Sequence, residues 1–90
     1  MHIRVTRGRI DPSRADELNR IAEQTVQAGK QLPGCRSFQI AMDRASGRIV
    51  AISTWDNPGQ AQAIGQLRAQ AEAIGVQFEP PELYEVVAHA

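Results

Sequence analysis

Cysteine is nearly missing from this chain. Cys35 is the only one, so no disulfide can close within the chain and no cysteine-rich zinc site can form. Aromatic residues are almost as scarce, two Phe, one Trp and one Tyr, which is too few for the stacked platform of a single-strand RNA reader. Neither sign of charge is in excess: ten Lys and Arg balance ten Asp and Glu. The basic residues, nearly all arginine, are scattered, which leaves no electrostatic footprint for nucleic acid or an anionic membrane. No apolar run approaches the ~20 residues that span a bilayer, and no charged-then-apolar leader opens at Met1-His2-Ile3-Arg4. These absences lead to the expectation of a soluble protein in a reducing, cytoplasmic setting, with no nucleic-acid or membrane partner. Ninety residues predict a single domain over 1–90. A chain this short buries only ~60% of the surface its unfolded form exposes, so a partner subunit is one way to complete its burial.

What is present is a repeated piece of punctuation. Ile10-Asp11-Pro12 and Asp56-Asn57-Pro58 each follow a strand-like run and open a helical pattern. Asp and Asn make good helix N-caps, and proline suits the first helical position because its missing N–H would have no intrahelical partner. The first strand is read from His2 to Ile10, where Ile3 and Val5 alternate with Arg4 and Thr6. The first helix runs from about Pro12 to Gln31, its apolar stripe formed by Ala15, Leu18, Ile21, Ala22, Thr25, Val26 and Gly29. Leu32-Pro33-Gly34 stops it. The second strand spans Cys35 to Arg44 and the third Arg48 to Asp56, joined at the Ser46-Gly47 turn signal. A second helix covers Pro58 to Ile74 with Gly75 as its stop, and a last strand covers Glu82 to His89. The order is βαββαβ. It predicts an α+β, ferredoxin-like fold: a four-stranded antiparallel sheet in the order 4-1-3-2 with two helices on one face.

Turning the hairpin at Ser46-Gly47 sets Phe38 opposite Trp55, Ile40 opposite Ser53 and Met42 opposite Ala51 on one face, with Ala41, Val50, Ile52 and Thr54 on the other. Two helices cover one face only. The second face fails to alternate to polar residues, nor does the last strand have a cleanly polar side. The expected remedy is a homodimer in which the second faces of two sheets pack together, a dimeric α/β barrel.

Few residues are placed for chemistry. A reactive thiol needs a lowered pKa, and Cys35 reads instead as a small buried hydrophobe. His2 and His89 come near each other if the first and last strands pair, but two imidazoles without a third ligand make a poor metal site. Glu79, Glu82 and Glu85 surround Pro80-Pro81 and read as a solvated edge. No cofactor and no metal are expected.

Leu32-Pro33-Gly34-Cys35 between the first helix and second strand, followed by a β-branched third strand ending in Thr54-Trp55-Asp56 and a second helix, resembles the antibiotic biosynthesis monooxygenase family of dimeric α/β barrels. The resemblance covers essentially the whole chain. It implies a ligand cavity between helices and sheet in each protomer, and an activity drawn from cofactor-independent oxygenases of aromatic polyketides, related haem-degrading enzymes, or relatives with no known activity. The haem-degrading branch has a helix-2 histidine nine or ten residues after the tryptophan, where this chain has Ile64 and Gly65. It also has a strand-1 asparagine, where this chain has Thr6, Arg7 and Gly8. Haem degradation is therefore not expected.

Under this resemblance Trp55 could stack on a planar substrate, with Phe38 as a second wall, or simply fill the core beneath the second helix. Ser53, Gln39 and Tyr84 could each place a polar atom in the cavity. Arg7 or Arg36 could stabilise a substrate anion, although an exposed ion pair is the commoner fate of a strand arginine. Two functions stay open. One is a cofactor-independent monooxygenase acting on an aromatic or quinol-type molecule. The other is a non-catalytic ligand-binding or assembly protein of the same fold.

Overall fold

A computed structural model describes all residues, 1–90. Strand β1 (His2–Arg9) leads through a single 3₁₀ turn, Pro12–Arg14, into helix α1 (Ala15–Lys30). Strands β2 (Cys35–Asp43) and β3 (Arg48–Trp55) form a hairpin. Helix α2 (Pro58–Ala61), a 3₁₀ stretch (Gln62–Leu67) and helix α3 (Ala69–Ala73) follow, and strands β4 (Gln77–Phe78) and β5 (Glu82–Glu85) complete the chain. Both expected caps form. The Asp11 carboxylate accepts the Ser13 N–H at 2.9 Å, and the Asn57 side chain accepts the Gln60 N–H at 3.1 Å. Pro12 and Pro58 take the first helical positions.

The antiparallel sheet runs β2-β3-β1 with β4 and β5 both on the far side of β1, the expected order seen from its other edge. The fourth position is filled by two strands rather than one. β4 pairs with Gly8 and Arg9, and β5 pairs with His2 through Val5. Pro80 and Pro81 lie between them, and proline has no N–H to give to the ladder. The last strand stops at Glu85 instead of reaching His89, and Val87 beyond it is 87% exposed.

The hairpin register differs by two residues from the expectation. Asp43 pairs with Arg48, so residues 44–47 all lie in the loop, and Phe38 faces Ser53, Ile40 faces Ala51 and Met42 faces Ile49. The Asp43 carboxylate holds the wider loop by accepting the Ala45 N–H at 3.1 Å and the Ser46 hydroxyl at 3.0 Å. Gly47 closes it at φ +80°, and its carbonyl accepts the Ile10 N–H. A Cβ at Gly47 would sit 1.9 Å from the Ile10 carbonyl oxygen, so only glycine fits. A shift of two preserves the face of every side chain, and the expected division of the hairpin into two faces stands.

The second helix is not continuous from Pro58 to Ile74. Its middle tightens into six residues of 3₁₀ geometry centred on Ile64-Gly65, longer than the three or four residues such turns usually sustain. Glycine is a poor helix former because ordering it costs the most backbone entropy, and Gly65 sits in this middle. Gly75 ends the segment at φ +96°. The Val76 N–H returns to the Ala71 carbonyl at 3.1 Å and the Gly75 N–H to the Glu72 carbonyl at 3.0 Å, the paired bonds of a Schellman stop.

The helices cover one face of the sheet, and the core beneath them is divided. One cluster joins Ile10, Leu18, Ile49, Ala71 and Val76, and a second joins Phe38, Trp55, Ala61 and Ile64. On the uncovered face, alternation places Ile3, Val5, Val50, Ile52 and Tyr84. Ile52 and Tyr84 there are 38% and 49% exposed.

Candidate functional site

A cavity of about 60 Å³ separates the two core clusters. Of its 17 lining residues 12 are apolar. Helix α1 supplies Leu18, Ile21 and Ala22, the hairpin supplies Phe38, Ile40, Ile49 and Ala51, and the 3₁₀ stretch supplies Ile64 and Leu67. The polar lining comes from Arg4 and Thr6 on β1, Thr25 on α1, and Arg68 where the 3₁₀ stretch meets α3.

These positions follow from strand pairing. Arg4 and Thr6 lie directly across from Ser53 and Ala51, on the helix-covered face, so the polar half of β1 points inward and Ile3 points out. The half-buried Arg4 guanidinium donates to the Thr6 hydroxyl at 3.0 Å and takes part in no ion pair. Burial first, then the nearby positive charge of Arg68, lowers its pKa from the ordinary arginine value. The guanidinium nevertheless stays charged at neutral pH. Arg68 pairs with Glu72 at 3.3 Å, one helical turn on, and lies 4.9 Å from the centroid of the Phe78 ring, within cation–π range.

Of the five residues nominated from sequence, only Phe38 lines this cavity. Trp55 is 0% exposed, and its indole N–H donates to the Ser53 hydroxyl at 2.7 Å. Trp55 packs with Phe38, Ala61 and Ile64, so Trp55, Phe38 and Ser53 are brought together as core beside the cavity. Arg7 and Tyr84 are elsewhere, on the uncovered face, where both bond the Glu82 carboxylate. That contact raises the Tyr84 pKa, because the carboxylate holds the phenol proton. Arg36 lies at an irregularity in the β2–β3 ladder and pairs with Asp56. Gln39 is exposed. Partial burial pushes the Cys35 thiol up, outweighing the opposing pull of Lys30, which is the state of an unreactive thiol. His2 pairs with Glu85 in the ladder, and no group of three His, Cys, Asp or Glu residues is placed to hold a metal.

Arg4, Thr6, Thr25 and Arg68 were missed from sequence. A signal existed for the first two, since the pairing of β1 with β3 puts them opposite residues already assigned to the covered face. Arg68 gave none, because its direction depends on where the 3₁₀ stretch ends.

No helix is long and apolar enough to cross a membrane. No curated protein matches the chain. Solved structures do. A candidate antibiotic biosynthesis monooxygenase from Deinococcus radiodurans superposes with a TM-score of 0.81 at 19% identity, covering 100% of this chain and 96% of that one. A similarly described protein from Nitrosomonas europaea gives a TM-score of 0.78 at 13% identity, covering 98% of this chain and 100% of that one. A mutant of MhuD, which holds two manganese protoporphyrin IX molecules per active site, gives 0.75 at 18% identity, covering 100% of this chain and 98% of that one. At such identities the likeness concerns the fold. The sequence pattern of the antibiotic biosynthesis monooxygenase family matches residues 1–75, and the chain belongs to that family.

Proposed function

We propose that the protein binds a small, largely apolar aromatic or quinol-type molecule in the cavity between helices and sheet, and that it acts there as a cofactor-independent monooxygenase. The observation that carries this reading is the cavity itself: apolar walls with Arg4, Thr6 and Arg68 in its polar lining. An easily oxidised substrate needs its anion held and oriented toward dioxygen, and a fixed cation beside a hydroxyl in an apolar site supplies that field. In the oxygenation, a ring methylene or a hydroquinone O–H loses its proton to water, and a carbon of the resulting anion transfers electrons to dioxygen and takes one of its oxygens. The methylene becomes a carbonyl, or the hydroquinone becomes a hydroxyquinone, and the second oxygen atom leaves as water.

Haem does not fit this site. The cavity of about 60 Å³ is far below the ~300 Å³ at which ligand pockets usually begin. The helix-2 positions of an iron-binding histidine hold Ile64, which is buried core, and Gly65. Even a single aromatic ring needs the cavity to widen, and the 3₁₀ stretch is the wall best able to yield, since its hydrogen bonds are poorer than those of an α-helix.

The test is oxygen uptake and product formation with anthrone and hydroquinone substrates. The reading expects turnover above the protein-free rate that falls at least tenfold in Arg4→Gln. No turnover with either substrate class refutes it. A second reading, a non-catalytic binding protein of the same fold, is favoured by a specific observation: no His, Asp, Glu, Cys or Tyr lines the cavity, so no side chain there can take the substrate's proton. Ligand binding without oxygen uptake selects this reading.

The active assembly in this proposal is a homodimer through the uncovered sheet faces. Val5 pairs with Ile52 on that face, Ile3 and Val50 flank them along their strands, and Ile52 and Tyr84 remain 38% and 49% exposed, apolar surface that a second sheet would cover. Light scattering should return twice the chain mass. Ile52→Glu should return a monomer with an unchanged far-ultraviolet spectrum, and a monomeric wild type refutes the assembly.

A further inference from the structure

Resting on the reading of this cavity as a small-molecule site, we propose that its ligand is a small apolar carboxylate, held with its carboxylate between the guanidinium groups of Arg4 and Arg68 and its hydrocarbon part against the apolar walls. The ligand is thus an anion before any chemistry begins, which goes beyond the transient anion of an oxygenation.

Arg4 is the starting point. A half-buried guanidinium without a counter-ion is costly, because desolvation is not repaid by a partner. Arg4 has five N–H donors, and its one side-chain acceptor in the protein is the neutral Thr6 hydroxyl. The three carboxylates that pair with strand arginines, Glu82, Asp56 and Asp43, serve Arg7, Arg36 and Arg48 instead. Arg68 adds a second guanidinium to the same cavity, and its charge reaches Arg4. Its Nε holds Glu72 at 3.3 Å, while its two terminal nitrogens have no side-chain acceptor. Two like charges facing one apolar space raise each other's free energy, and an anion placed between them relieves both.

The shape of the deficit selects the anion. A carboxylate offers two oxygens in the plane that a guanidinium fork matches, and two arginines plus Thr6 saturate it. A phosphate or a sugar acid carries polar oxygens beyond the two that a guanidinium fork takes up, and Leu18, Ile40, Ile49 and Ile64 around the rest of the cavity would face them with no donor. The small volume favours a hydrocarbon part of about one ring or a short chain, which needs the least widening of the cavity.

Benzoate and its neutral isostere benzamide test this directly. Binding to the wild-type protein is followed by calorimetry and by the ligand-induced rise in unfolding temperature, at constant ionic strength. Benzoate should bind at least tenfold more tightly than benzamide. In Arg4→Gln, and separately in Arg68→Gln, that ratio should fall toward one while benzamide binding persists, and Arg68→Lys should restore part of the preference. Without ligand, Arg4→Gln should unfold at the wild-type temperature or above it, because an unpaired charge has been removed. A clear fall would make Arg4 a structural residue and overturn the proposal. Equal binding of benzoate and benzamide overturns it while leaving the cavity's function intact. An equal stabilisation by sulfate overturns it by showing that the apolar part is not engaged. Binding of neither ligand removes the cavity reading together with the proposal.

Discussion

Replacing Trp55 by phenylalanine separates core from ligand wall. Trp55 is fully buried, and its N–H bonds the Ser53 hydroxyl, itself only 3% exposed. The substitution deletes that bond, worth ~1 kcal/mol net, and leaves a void where half of the indole stood, ~1–2 kcal/mol more. With an m-value of ~1 kcal/mol per molar urea, a total of ~2–3 kcal/mol lowers the urea midpoint by ~2–3 M. Against a whole-chain stability of ~5–13 kcal/mol, Trp55→Ala, at ~3–5 kcal/mol, should remove from about a quarter to all of it. Ser53→Ala should cost ~1–3 kcal/mol because the buried N–H loses its acceptor. The double variant Trp55→Phe with Ser53→Ala should cost ~1 kcal/mol less than the two single changes added together. Unfolding is followed by far-ultraviolet circular dichroism, since the fluorophore is the residue removed. A midpoint shift under ~0.5 M for Trp55→Phe, or strict additivity in the cycle, would show that the indole is not held as the structure has it.

Two helical glycines should respond with opposite signs. A Cβ at Gly65 would meet nothing nearer than the Arg4 guanidinium at 4.0 Å, so Gly65→Ala should stabilise by ~0.5–1 kcal/mol. It should also slow ligand association in stopped-flow mixing, and an unchanged rate would place the route into the cavity elsewhere. A Cβ at Gly29 would lie 2.2 Å from the Phe38 ring, so Gly29→Ala should lower stability by ~1–3 kcal/mol through overpacking, and a rise in the urea midpoint would refute that contact. Cys35, with its pKa raised by burial, should react with an aromatic disulfide reagent more slowly than free cysteine at neutral pH, and equal rates would contradict the assignment. The Asp11 pKa is depressed, chiefly by the Ser13 backbone N–H. Its stabilisation is therefore present above the unfolded carboxylate pKa of ~3.9 and is lost as pH falls through the lower folded value. Unfolding temperatures of wild type and Asp11→Ala should converge in acid, and a constant gap would deny the carboxylate this role.

The architecture was legible because its signals are local. Asp11-Pro12 and Asn57-Pro58 cap helices by bonds spanning two or three residues, and period-two alternation fixes a strand's faces whatever it pairs with. Register was less legible. The loop at 44–47 is held open by the Asp43 side chain, and a turn dipeptide alone does not reveal that a neighbouring carboxylate takes the loop's donors. The second helix misled for a related reason. Its alanine-rich pattern has helical spacing, but spacing does not resolve an α turn from a 3₁₀ turn around Gly65.

The site divides along the same line. Sequence alone determined a βαββαβ chain with one sheet face covered, a large indole at the end of β3, and no histidine where an iron ligand would stand on helix 2. Only the tertiary structure decided that Trp55 is sealed into the core, that Arg7 and Tyr84 turn to the far face, and that Arg4 and Arg68 line one apolar cavity. Alternation tells which residues share a face, but the face that goes under the helices is chosen by the partner strand. In β1 that choice buries the polar set, Arg4 and Thr6, and leaves Ile3 on the open side.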